Sequence, residues 1–463
     1  MNKNLKLLCV AAGLSLLMGG SIFAADNDCY FGAGNGTKES PYWVENAEHL
    51  QNIGLFPNAY FIQTKDIDAG DKAFMPIGSF DKPFSGYYDG EGHKITINDL
   101  GAINGDIKLA GVWGFTSEAE IKNLNVEINA SLNLDGRVCF GGIAACSNKT
   151  NVSSCSISSD SNIYVNSEKC LYAGGIIGYS AFGTVIRSCS FEGRIDGRSR
   201  GDIDAVCAVG GIVGENRTGA RIKKSTFAET ASVSGNSTVA PAWVGGIAGF
   251  NENSTYVCDC HAVVPMNLKP EYGDLKQVFT KISKCNSAGT VSGYSLERIA
   301  VGGIVGFNAA DVANCISQSS SNTRGSIVKC NDVPSALIGG VVGDNTGIIY
   351  NSSSLSSIQM LSDGFLGVGG IVGRNAGAVD RCTYFAISGK GLSSFTALRS
   401  FNVFSALESV SARGGIAGIN DNSLNNASIK DCKVFGTDEE QAITSYGHTR
   451  GAYGKFVGLE TRP

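Results

Sequence analysis

The chain has 463 residues, 43% of them hydrophobic and 17% charged, with a net charge of −5, 61 glycines and only 9 prolines. Length alone suggests about three domains, but the glycines recur in register rather than in blocks, so they mark turns and close backbone approach instead of flexible linkers. No run of Lys and Arg points to nucleic acid, and nothing beyond the N-terminus has the 18 or more apolar residues of a membrane-spanning helix.

In chain order, residues 1–24 place Lys3 and Lys6 ahead of an apolar run from Leu7 to Met18, with small residues at Ala24 and Ala25. That pattern predicts a secretory signal peptide, and so an exported protein, extracellular or at the cell surface, with the periplasm also open. Neither Cys9 nor Cys29 follows a lipobox, and 14 of the 15 cysteines lie beyond the leader.

Residues 25–105 read as an N-terminal capping region, because a stacked array needs an atypical unit over its open apolar end. A short helix is predicted over 42–53 from the spacing of Ala47, Leu50 and Ile53. Alternation in 60–68 and 84–95, with a tight turn at Asp89-Gly90, predicts strands. The region also holds Asp66, Asp68, Asp71, Asp89, Glu91 and His93. The first three faintly suggest a calcium loop without its full ligand spacing, and Asp89 with Glu91 is the weighed carboxylate pair. Turn residues are the preferred reading of both.

From 106 to 436 a Gly-Gly pair followed by an apolar residue occurs eight times, with second glycines at Gly142, Gly175, Gly211, Gly246, Gly303, Gly340, Gly370 and Gly415. Gly111 marks a ninth, degenerate copy. The steps are 33, 36, 35, 57, 37, 30 and 45 residues. Such a period predicts an all-β parallel solenoid of about nine repeats, each burying its apolar face against its neighbours. The long steps predict surface excursions at 265–277 and 389–404. Five residues past the second glycine stand Asn216, Asn251, Asn308, Asn345, Asn375 and Asn420, with Ser147 and Ser180 earlier. Asparagines stacked at about 4.8 Å can pair their amides as a ladder. Further on, the second strand ends in Cys155, Cys189, Ser225, Cys260, Cys315, Ser352, Cys382 or Cys432. Two readings stay open: a buried slot for small side chains, or disulfides between neighbouring coils. Residues 437–463 are expected to be a tail or C-terminal cap.

The Gly-Gly-Ile-Val-Gly-x-Asn core and the strand after it resemble the GLUG motif, a repeat of exported bacterial surface proteins, over about Gly111 to Cys432. The resemblance implies an adhesin-like role, and also extends to repeat regions of some large immunoglobulin A peptidases. The copies at Gly142 and Gly175 carry Ser for Asn.

No His-Glu-x-x-His helix is present, and Cys258-Asp259-Cys260-His261 lacks a second cysteine pair at finger spacing. The expectation is therefore an exported, non-catalytic surface protein with no catalytic, metal or cofactor-binding residues, whose partner is a host or cell-surface ligand such as a glycan or matrix protein. The alternative is a secreted β-helix lyase or glycosidase, marked by acidic and aromatic residues converging in one groove.

Overall fold

The computed structural model describes residues 30–70, 72–201, 204–253, 279–295, 297–317, 327–330, 335–360, 365–385, 395–397, 411–421, 427–435, 451–454 and 457–461. One coil shows how the chain winds. Leu171–Gly174 forms a glycine wall, Ile177–Ala181 an asparagine wall, Val185–Arg187 an outer wall, Ser190–Phe191 a short wall and Arg194–Ser199 a long wall, before Cys207–Gly210 begins the next coil. Each wall pairs in parallel with its equivalent one coil away, so Gly141, Gly174, Gly210, Gly245, Gly302, Gly339, Gly369 and Gly414 stack in one column. The protein is a parallel β-solenoid.

Among the described residues the glycine and asparagine walls have ten strands each, one more than nine repeats provide. The extra coil is Gly451–Gly454 with Val457–Thr461, where Gly454 pairs with Gly414. Lys455 replaces the second glycine there, so the sequence signature is missing. The 265–277 excursion lies outside the described residues, as does most of 389–404. Within the latter, Phe395–Ala397 is no loop: it pairs with Ile358, Gln359 and Met360 on the long wall.

The lead-in differs from expectation in two ways. The helix is shorter, Ala47–Asn52, capped by the Asn46 side chain accepting from the His49 amide at 2.9 Å, while Tyr42–Val44 is a strand. The three residues of that strand pair with Phe61, Ile62 and Gln63, which places it in the outer wall, twelve-stranded among the described residues. Tyr87–Asp89 and Lys94–Ile97 do flank a turn, but they run in different walls and pair in parallel with other coils. Asp89-Gly90 therefore turns a corner of the coil and makes no hairpin.

The core is a set of side-chain columns. On the outer wall from Glu120–Lys122 to Ala378–Asp380 the central residue of each strand points inward, giving Ile121, Val152, Ile186, Ile222, Ile282, Val312, Ile349 and Val379, all fully buried. Burial of one such side chain is worth about 1.5–3 kcal/mol. The second glycine of each pair faces this core. A Cβ at Gly175, Gly211 or Gly370 would come under 3.0 Å from the carbonyl of the next coil's glycine and from Phe191, Phe227 or Tyr384 on the short wall. At Gly246, Gly303 and Gly340 the short-wall neighbours are Ser287, Ser317 and Ser354, and at Gly142 it is Ile157. Gly415 supplies the carbonyl that would crowd Gly370. None of the paired glycines from Gly141 to Gly370 has positive φ. Crowding, not backbone handedness, selects glycine there.

The asparagines line the same interior. Asn216 donates to Asn251, Asn251 to Asn308, Asn308 to Asn345 and Asn345 to Asn375, each at 2.8 Å, and Asn375 to Asn420 at 2.9 Å. Ser180 donates to Asn216 and so opens the chain of bonds.

From Glu120–Lys122 onward, one residue after each outer-wall strand takes the left-handed conformation without being glycine: Asn123, Ser154, Ser188, Lys224, Lys284, Asn314, Asn351, Arg381 and Asp431, with φ between 45° and 55°. After Asn123 comes the buried Leu124, but from Ser154 onward the next position is the small-residue slot. Its occupants are Cys155, Cys189, Ser225, Cys285, Cys315, Ser352, Cys382 and Cys432, so the coil assigned to Cys260 in fact uses Cys285. Each side chain reaches the carbonyl two residues earlier, as from Cys155 to Ser153 at 3.4 Å and from Ser352 to Tyr350 at 3.0 Å. A short donor fits this slot, which explains why Ser and Cys exchange there.

Candidate functional site

Three surfaces gather chemistry. The first is the outer wall, whose strands present their flanking residues to solvent. Register puts Val185 beside Arg221 and Arg187 beside Lys223, then Arg221 beside Lys281. With Lys224 and Lys284 at the corner, six cations gather over three successive coils, and all but the half-buried Lys281 are exposed. Lys281 lies 3.9 Å from Asp311. Among the described residues no ion pair links the other five to a carboxylate. Coils stack at about 4.8 Å, so these charges repel one another unless something anionic covers them. Sequence reading missed the cluster, because its members lie 34 to 60 residues apart from coil to coil. The signal available was Arg187 and Lys223 at the same offset after Gly175 and Gly211; the insertion after Gly246 hides the matching place of Lys281 and Lys284.

The second surface is the corner where the glycine and asparagine walls meet. Their outward faces enclose a small second core holding Tyr172, Tyr179 and Phe250, with Trp243 and Phe307 against it. Phe250 stacks on Phe307 at 4.8 Å and meets the Trp243 ring edge-on at 5.0 Å. Carboxylates interleave with these rings. Glu215 is fully buried and lies 3.3 Å from Arg217, which also pairs with Glu252. Burial alone would lower the Arg217 pKa, but Glu215, Tyr179 and Glu252 outweigh it and hold the guanidinium charged. Asp344, also fully buried, receives Arg374 through two bonds of 2.9 and 3.2 Å and pairs with Arg298 as well. Acidic and aromatic residues do converge, as the glycosidase alternative required. Each of these carboxylates, however, is paired with arginine.

The third is the acidic set of the lead-in, which the fold disperses. Asp66 meets His93 at 3.1 Å on the surface, Asp68 closes a turn on the Gly70 amide at 2.9 Å, and Glu91 is an exposed left-handed turn residue. Asp71 and the Cys258–His261 cluster lie outside the described residues. Among the described residues no three of His, Cys, Asp and Glu are grouped to hold a metal.

Asp89 is buried and accepts from Lys122 at 2.9 Å, Asn123 at 2.9 Å, the Glu91 amide at 3.1 Å and the Tyr87 hydroxyl at 3.1 Å. Burial alone would raise its pKa, but the bonds from Lys122, Asn123 and Glu91 outweigh it and leave the carboxyl below 3.8. A lowered folded-state pKa gives stability that is present above the unfolded value and lost as pH falls through the folded one. Asp89→Asn is therefore expected to cost about 1–2 kcal/mol at neutral pH. It should also flatten the loss of stability below about pH 4. Urea melts at pH 3 and pH 7 check this; equal losses at both would refute it.

Fold and surface together define a parallel β-solenoid with a basic outer wall. No family model matches the chain, so the GLUG resemblance rests on the residues quoted for it. A protein of Evansella cellulosilytica, provisionally named a Gly-rich membrane protein, is 33% identical over 115 residues, which is 23% of this chain and 13% of that protein. The chain thus matches only a small part of its relative's length, and no helix among the described residues is long and apolar enough to cross a membrane. Among solved structures, a provisionally named immunoglobulin A1 protease from Bacteroides ovatus is similar at 18% identity and a TM-score of 0.40, over 72% of this chain and 80% of that one. A second, named IgA1 protease, is similar at 14% identity and a TM-score of 0.28, over 71% of this chain and 21% of that one. These findings correct one expectation. The sequence reading set the chain down as no enzyme, yet both solved chains bear the name of a protease, so that exclusion is dropped.

Proposed function

We propose that the chain is an adhesive binding protein of the cell exterior, and that its ligand is an acidic polysaccharide held on the outer wall by Arg187, Arg221, Lys223, Lys224, Lys281 and Lys284. The observation that carries this reading is the gathering of cations on one exposed face of a chain whose net charge is −5. Export is supported by the leader pattern of residues 1–24. The stacked strands fix the backbone positions that carry the charges, so binding has side chains but no loop to order.

The test is binding of the chain to arrayed acidic and neutral glycans. Acidic glycans should be retained, and binding should weaken steadily with salt as screening grows. Reversing two charges in Arg221→Glu/Lys223→Glu should weaken it by about tenfold or more, since like charges then face the ligand. Unchanged binding by that variant, a preference for neutral glycans, or equally good competition by duplex DNA would each defeat the polysaccharide reading.

A further inference from the structure

The small-residue slot carries an order that the individual coils do not show. Along the solenoid axis its occupants run Cys155, Cys189, Ser225, Cys285, Cys315, Ser352, Cys382, Cys432: three cysteine pairs, each separated from the next by one serine. A slot that merely wanted a small donor has no reason to alternate this way. The serines give every cysteine one cysteine neighbour and no second.

The pairs lie in register. Ser156 pairs with Ser190, Asn286 with Ile316 and Thr383 with Lys433, so the cysteine just before each of these residues faces its partner one coil away. All six are free thiols here, and five of them are buried. In the third pair the Cys382 amide lies 3.4 Å from the Cys432 sulfur. Parallel neighbours about 4.8 Å apart fall inside the Cα separation that a disulfide accepts, roughly 4.4–6.8 Å.

Closing a bridge removes two S–H donors, and the carbonyls they touch keep other partners. The Ser153 carbonyl already accepts from the Asn123 amide, Arg187 from Ser154, Ser283 from Lys224, Ala313 from Lys284, Asp380 from Asn351 and Lys430 from Arg381. Oxidation therefore leaves no backbone acceptor without a donor.

We propose that Cys155–Cys189, Cys285–Cys315 and Cys382–Cys432 are disulfide-forming pairs that bolt successive coils together in twos, with Ser225 and Ser352 acting as spacers that prevent mispairing. In each step a thiolate attacks a disulfide-bearing oxidant and forms a mixed disulfide, which the partner thiolate then resolves. Two thiols lose two electrons and two protons, and the oxidant's disulfide becomes two thiols. Because the slot is buried, the bridges form while coils are still assembling. The Cys382–Cys432 pair, with its half-buried Cys432, is the most open to late closure.

The test is refolding of the full chain from denaturant and reductant into a glutathione redox couple, followed by unfolding, alkylation and peptide mass spectrometry. The expected result is three cross-linked peptides with these partners and loss of alkylation at all six residues. Alkylation of the six thiols after oxidative refolding, or links that jump a serine, such as Cys189 to Cys285, would overturn the proposal. Cys189→Ser guards against a folding artefact, because Ser225 and Ser352 already occupy the slot. It should leave Cys155 alkylatable while the other two bridges form, and a Cys155 that remains blocked in that variant would equally overturn it. The reaction is carried out on the isolated protein, so its outcome does not depend on export or on the glycan reading.

Discussion

Gly211→Val is expected to destabilise the solenoid by about 3 kcal/mol or more, at the upper end of overpacking costs. A Cβ at Gly211 meets the Gly246 carbonyl of the next coil and the Phe227 ring, both under 3.0 Å away. Neither can retreat cheaply. Phe227 is fully buried and stacks on Phe191 at 6.1 Å with an interplanar angle of 1°, while Gly246 sits in the corner whose neighbouring residues carry the ladder from coil to coil. Removing the ring should therefore rescue little, and Gly211→Val/Phe227→Ala is expected to remain at least as unstable as the first change alone. Denaturant melts of the full chain, with hydrogen exchange to localise the loosened coils, provide the check. A variant melting like the parent would show that the walls can spread, and that crowding is not what selects glycine.

The second large effect is expected at the centre of the asparagine column. Asn308→Ala removes an acceptor from Asn251 and a donor from Asn345, both fully buried, and should cost about 2–4 kcal/mol, since each stranded polar group costs about 1–3 kcal/mol. Asn420, near the end of the column and slightly exposed, accepts from Asn375 and should cost less when changed in the same way. Asn308→Asp should be worse than alanine, because a buried carboxylate cannot donate to Asn345. Thermal melts of the three variants decide the matter. Equal, small losses at Asn308 and Asn420 would mean that the amides serve only as turn residues.

The repeat, the solenoid and the stacking of Asn216 through Asn420 were legible in the sequence because each is a short pattern fixed by local crowding or by one amide per coil. The extra coil at Gly451–Thr461 was not, since a coil can pair its backbone in register without the second glycine once its neighbour supplies the ladder. Assigning Cys260 to the slot came from counting along a step lengthened by an insertion. Strand register, which places Cys285 there, is a property of the neighbouring coil.

By itself, then, the sequence determined the winding: Gly pairs where no Cβ fits, β-branched residues between them, and one buried amide per turn. Only the tertiary structure decided what lies beside what. Residues 34 to 60 positions apart become neighbours about 4.8 Å away once the coils stack. That contact turns scattered Arg187, Arg221, Lys223 and Lys281 into one basic face, and an irregular series of cysteines into pairs. It also brings Arg298 and Arg374 from neighbouring coils to the buried Asp344, a fate that no local pattern encodes, whereas Glu215 meets Arg217 of its own strand.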